Sequence, residues 1–120
     1  MLRHIVMWKF RPGTETEREL FLTGLQGLYG EIPELKRCEV LRGTERSDYD
    51  AVLISEFADQ AALERYKADP RHQAVSALCK SIRTDRAAVD CPLPDADVET
   101  QAQTMLRHLA RIGGLRMLEE

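Results

Sequence analysis

Residues 2–10, LRHIVMWKF, constrain the fold more than any other stretch of the chain. In an extended strand Leu2, His4, Val6, Trp8 and Phe10 share one face, while Arg3, Ile5, Met7 and Lys9 share the other. Both faces therefore carry apolar residues. Such a strand belongs inside a layered structure, not at a wet surface. His4 is the one polar group on the Trp8 face.

The residues that follow supply the layers. Arg11-Pro12-Gly13 is a turn, and Thr14-Glu15-Thr16-Glu17 fits a capping box in which Thr14 and Glu17 satisfy each other's amides. The helix begun there runs to about Tyr29, with Leu20, Phe21, Leu25 and Leu28 as its apolar stripe. Gly24 and Gly27 weaken it by about 1 kcal/mol each relative to Ala and leave room for close approach to a sheet. Leu35–Arg42 reads as a charge-rich strand at an edge or wet face. The polar turn Gly43–Asp48 joins it to Tyr49–Phe57, the strongest strand in the chain, as an antiparallel hairpin.

Asp59 caps the next helix, Gln60–Ala68. Pro70 stops it, because proline has no amide hydrogen and clashes with the preceding turn. Asp69 then caps a second arm, Pro70–Ile82, with Pro70 at its first position and His72 at its third. The apolar face of that arm reads as Ala74, Val75, Leu78 and Cys79. Thr84–Cys91 is the last strand, with Ala87 and Val89 inward, and Pro92 and Pro94 end it.

The order strand, helix, strand, strand, helix, strand predicts an α+β class: a ferredoxin-like βαββαβ protomer with a four-stranded antiparallel sheet and helices on one face. The bare face is expected to bury Trp8, Phe10 and the Tyr49/Phe57 series against a second copy, giving a homodimer and a dimeric α/β barrel. Residues 1–92 would form this domain and 93–120 a C-terminal helical extension. In that extension Val98, Ala102, Met105, Leu109 and Ile112 recur at helical spacing, as expected of a helix packed on the outside of the dimer or on the partner, the alternative being a pocket lid or docking helix.

Composition narrows the partners. With 17 basic against 20 acidic residues, the net charge is −3, which argues against a nucleic-acid footprint. No apolar run approaches the roughly 20 residues of a membrane span, and the alternating N-terminus is unlike a signal peptide. Cys38, Cys79 and Cys91 are odd in number and lack a CxxC pair, so neither a disulfide framework nor zinc is indicated. A cytoplasmic location with reduced thiols is expected. His4, His72 and His108 show no ligand spacing, and no phosphate loop or GxSxG elbow occurs, so neither metal nor cofactor is implied.

The candidate chemistry sits at the Asp69-Pro70 elbow. His72 lies near a helix N-terminus, where the dipole disfavours the imidazolium and keeps a neutral base. Tyr66 offers a phenol to an oxyanion. The pair suits proton abstraction next to a carbonyl. The alternative is a His72 bonded to a backbone carbonyl beside a Tyr66 that only packs. His4, Val6, Trp8 and Leu53 are expected to line a cavity between sheet and elbow. Asp85 and Asp90 read as solvated, and Cys79 as core.

The opening RHIVMWKF, Ile32-Pro33 before the second strand, YDAVLISEF, LERYKADPRHQAV and the closing RAAVDC together resemble the stress-responsive dimeric α/β-barrel (Dabb) family over about residues 1–91. The resemblance implies a ferredoxin-like protomer whose sheets close into a dimeric barrel. A polyketide-cyclising member of that family works without cofactor through a Tyr and a His in the segment matching LERYKADPRH, which implies catalytic roles for Tyr66 and His72. Its first-strand His corresponds to His4, but its third-strand His is replaced by Ala51, so its substrate does not carry over. Two functions stand: a stress-responsive homodimer binding a small apolar or aromatic molecule, or a cofactor-independent cyclase-like or isomerase-like enzyme. A cofactor-free monooxygenase rests on fold analogy alone.

Overall fold

The computed structural model describes residues 1–94 and 105–109. The elements are β1 (Leu2–Phe10), α1 (Glu15–Gly27), β2 (Arg37–Arg42), β3 (Ala51–Phe57), α2 (Gln60–Ala68), α3 (Pro70–Ile82) and β4 (Arg83–Pro92). The strands form one sheet in the order β2-β3-β1-β4, antiparallel at every ladder. β1 lies between two neighbours, as its two apolar faces require. This is the ferredoxin-like βαββαβ arrangement.

The helices cover the Trp8 face. Register sets Ala51, Leu53, Ser55 and Phe57 opposite Trp8, Val6, His4 and Leu2, so these residues share one surface. Trp8 packs edge-on against Phe21 with ring centroids 5.0 Å apart, and Phe57 lies 5.0 Å from Tyr66. Trp8, Phe10 and Phe57 are therefore buried by the chain's own helices and are not available to a second copy. The open face is the opposite one. It carries half-exposed Ile5, Met7, Val52 and Ile54, with Leu41 and Val89 46% and 51% exposed. An Arg3–Glu56–Arg37–Glu39 chain of ion pairs rims it. Ala87 and Val89 pair with Met7 and Ile5 and so belong to this open face, not to the interior.

Local departures have local causes. Thr14 forms no side-chain cap; its hydroxyl instead donates to the Arg11 carbonyl across the Pro12-Gly13 turn, where Gly13 holds φ +82°. The buried set on α1 is Phe21, Leu22 and Leu25, continued by Leu28 just beyond the helix, which leaves Leu20 60% exposed. One residue turns a helix by about 100°, enough to move Leu20 off the buried face. On α3 the inward set is Val75, Cys79 and Ile82, while Ala74 and Leu78 are exposed. Gly24 serves the α1–α3 contact and not a sheet contact, since a Cβ there would stand 3.3 Å from both Val75 methyls.

The elbow forms as its residues dictate. Asp59 accepts from the Ala62 amide, and Asp69 from the Arg71 amide, each at 2.8 Å. Arg71 also reaches across to donate to the Glu31 carbonyl at 2.8 Å, tying the elbow to the segment after α1. The expected C-terminal extension lies outside the described residues except for 105–109, which are helical and exposed.

Candidate functional site

The sheet, the elbow and α1 enclose a cavity of about 310 Å³. β1 contributes His4, Val6 and Trp8, and β3 contributes Leu53. Tyr66 comes from the end of α2 and His72 from the start of α3. All six residues singled out in the sequence thus line one space. Alternation does this for the strand residues, and the Asp69-Pro70 break does it for the other two. The break turns the chain so that the rings of Tyr66 and His72 lie with centroids 4.5 Å apart, although six positions separate them.

Polar atoms in this space are poorly satisfied. Tyr66 is 1% exposed, and its Oη finds no hydrogen-bond partner among the described residues. His72 Nδ1 is buried and makes no hydrogen bond of ordinary geometry among the described residues. Most buried polar groups in folded proteins are paired, and an unpaired one costs about 1–3 kcal/mol. Burial pushes the Tyr66 phenol well above its ordinary pKa, so it stays protonated and able to donate.

Both cavity histidines are held below the ordinary imidazole value. For His72 burial is the largest cause, opposed by the Lys67 backbone carbonyl and reinforced by His4 and the Lys67 ammonium. For His4 burial again outweighs Asp90, whose carboxylate lies 2.5 Å from Nδ1. Asp90 is thus no bystander in solvent. It is the direct cross-strand partner of His4. With Nδ1–H donating to Asp90, the neutral His4 ring keeps Nε2 unprotonated.

The sequence did not mark the other lining residues as part of a cavity. Phe21 and Leu25 close the apolar end, and Ser76, Cys79 and Lys80 come from α3. His72, Ser76 and Lys80 recur at four-residue intervals, so they form a stripe that helical spacing alone reveals. Lys67, Arg83 and Arg86 complete the rim. Arg86 and Asp90 belong to the helix-facing side of β4 by alternation, opposite Trp8 and His4. Cys79 is buried and its thiol pKa is raised by burial, which makes it an unreactive wall.

Known proteins place this architecture. No curated protein matches the chain. A Dabb family protein with a ferredoxin-like fold from Mesorhizobium loti MAFF303099 is 29% identical, with a TM-score of 0.64, and the match covers 78% of this chain and 97% of that one. A dimeric ferredoxin-like protein of unknown function from Thermobifida fusca YX is 26% identical, with a TM-score of 0.69, covering 77% and 90%. A dimeric protein of unknown function with a ferredoxin-like fold from Bacteroides fragilis NCTC 9343 is 22% identical, with a TM-score of 0.71, covering 77% and 95%. No helix among the described residues is long and apolar enough to cross a membrane. The model of the Stress responsive A/B Barrel Domain matches residues 2–93, and with that match over most of its length this chain belongs to the Dabb family.

Proposed function

We propose that this protein is a homodimer that binds a small apolar or aromatic molecule in the cavity of each protomer, using Tyr66 and His72 as its polar contacts. One observation carries the reading: two buried polar atoms, Tyr66 Oη and His72 Nδ1, are unpaired at the wall of a space also lined by Val6, Trp8, Phe21, Leu25 and Leu53. A ligand bearing a carbonyl or hydroxyl group would satisfy both. A volume of about 310 Å³ lies at the small end of ordinary ligand sites, which run from about 300 to 1,000 Å³. The dimer is supported by the open sheet face around Ile5, Met7, Val52 and Ile54, and by relatives described as dimeric. A part in stress response rests on the family's description.

Trp8 is the sole tryptophan and lines the cavity, so its emission reports occupancy. Titration with small aromatic carbonyl compounds should shift that emission and raise the melting temperature. Loss of both effects in Tyr66→Phe and His72→Ala together is expected; an unchanged response in those variants would refute the assignment.

A second reading is favoured by the state of the two histidines. Two neutral imidazoles and a protonated phenol surround one space. A neutral imidazole can take a proton from a carbon next to a carbonyl while Tyr66 donates a hydrogen bond to the enolate oxygen. Where the enolate is conjugated with a further double bond, returning the proton at the far carbon gives isomerisation; attack of the enolate carbon on a second carbonyl of the same molecule, with the imidazolium returning the proton to the new alkoxide, gives ring closure. Deuterium uptake from heavy water into β-keto compounds, followed by NMR, tests this. Uptake no faster than in buffer alone would leave only the binding role.

A further inference from the structure

The rim of the cavity differs in charge from the chain as a whole. Acidic residues outnumber basic ones by 20 to 17 in the sequence. Yet Lys67, Lys80, Arg83 and Arg86 all line the cavity, and among the described residues no Asp or Glu does. Among the described residues, Lys80, Arg83 and Arg86 make no ion pair, and Lys67 has only a long 3.8 Å contact to Glu64 one turn away on an exposed face. Exposed pairs of that kind contribute little. Asp90 borders a smaller opening with Lys67 and Arg86 and is occupied by His4. These four cations come from α2, α3 and β4, so they converge on the opening from three elements.

Resting on the binding role proposed above, we infer that the ligand is an organic anion: a carboxylate on an apolar, aromatic-sized body. The carboxylate sits at the rim against Lys80, Arg83 and Arg86, with Lys67 beside it. The body enters between Trp8, Phe21, Leu25 and Leu53, and its inner polar group meets Tyr66 and His72. Cations that line an apolar-walled cavity with little or no ion pairing among the described residues favour this class over a neutral one, because guanidinium and ammonium groups donate strong charge-assisted hydrogen bonds. The positive field is also felt inside. Arg83 and Arg86 pull the Cys79 thiol down against burial, and Lys67 and Arg86 both act to lower His4.

The test pairs 3-(4-hydroxyphenyl)propanoate with 3-(4-hydroxyphenyl)propanamide, alike in shape, each carrying a hydroxyl for Tyr66 and His72, and differing in charge, each titrated against Trp8 emission in the intact protein. The acid should bind roughly tenfold tighter or better, as expected when a neutral hydrogen bond becomes charge-assisted. That preference should shrink as salt is raised. It should vanish in an Arg83→Gln, Arg86→Gln variant and survive in Arg86→Lys. A melting curve for each variant separates lost binding from lost folding, and Lys80→Gln, on an exposed helix position, serves as a milder probe. Equal binding of acid and amide would overturn the anion inference and leave the cavity as a binding site. If neither compound perturbs Trp8, the anion inference and the binding role both fall.

Discussion

His4 on β1 and Asp90 on β4 stand directly opposite each other in the sheet register, and the carboxylate engages the Nδ1 side of the ring at the mouth of the cavity. This pairing opposes burial but does not overcome it, so the folded protein holds His4 below the ordinary imidazole pKa. His72 is lowered in the same sense, with burial as the largest cause.

The pH dependence follows from that direction. When a histidine's folded pKa lies below its unfolded one, the unfolded chain binds the proton more readily. The stability contribution is then fully present above the unfolded value, near pH 6.5, and is lost as pH falls toward the folded value. Melting temperature should therefore drop between about pH 7 and pH 5. A His4→Gln, His72→Gln variant should show a flatter profile over that range. NMR titration of the two rings should give midpoints below 6.5 in the native protein, and Asp90→Asn should lower that of His4 further. Midpoints above 6.5 would contradict the burial argument.

Tyr66→Phe should separate stability from binding. The hydroxyl it removes is buried and unpaired, so the free protein should gain about 1 kcal/mol or lose nothing, against the usual cost of altering a core tyrosine. Ligand affinity should fall in the same variant. Urea denaturation measures the first effect and Trp8 titration the second. A clear destabilisation would mean the hydroxyl is paired in the native protein.

Ile54→Lys should split the proposed dimer without unfolding the protomer. Ile54 lies half-exposed on the open sheet face, so lysine is tolerated in the single chain. In a face-to-face dimer it would bury an unpaired charge at a cost of several kcal/mol, weakening association at least about a hundredfold. Light scattering reads the mass and far-ultraviolet circular dichroism reads the fold. An unchanged dimer mass would place the interface elsewhere.

The two α1 glycines should respond in opposite ways. Gly27 has open space where a Cβ would go, so Gly27→Ala should stabilise by about 0.5–1 kcal/mol through helix propensity. Gly24→Val should destabilise by about 1–3 kcal/mol, because its side chain meets the Val75 methyls. Thermal melts of the two variants decide this, and a stabilised Gly24→Val would show that α1 and α3 can move apart.

Element order, the elbow and its caps were legible in the sequence because each depends on near neighbours. The alternation of β1 marks a strand, Pro70 cannot continue α2, and Asp59 and Asp69 lie where the first amides of a helix need acceptors. The meeting of Tyr66 and His72 follows from the same local break.

Which face of β1 becomes the interior was not legible, because Trp8 and Phe10 on one side and Ile5 and Met7 on the other are both greasy enough to be buried. Tertiary structure decided it: β1 and β2 are parallel with β3 between them, and the preferred hand of such a crossover sets the side on which α1 packs. The role of Asp90 and the ring of Lys67, Lys80, Arg83 and Arg86 were hidden for a related reason. Each looks like an ordinary surface charge along the chain, and only the antiparallel register of β4 and the docking of α3 bring them to one cavity mouth.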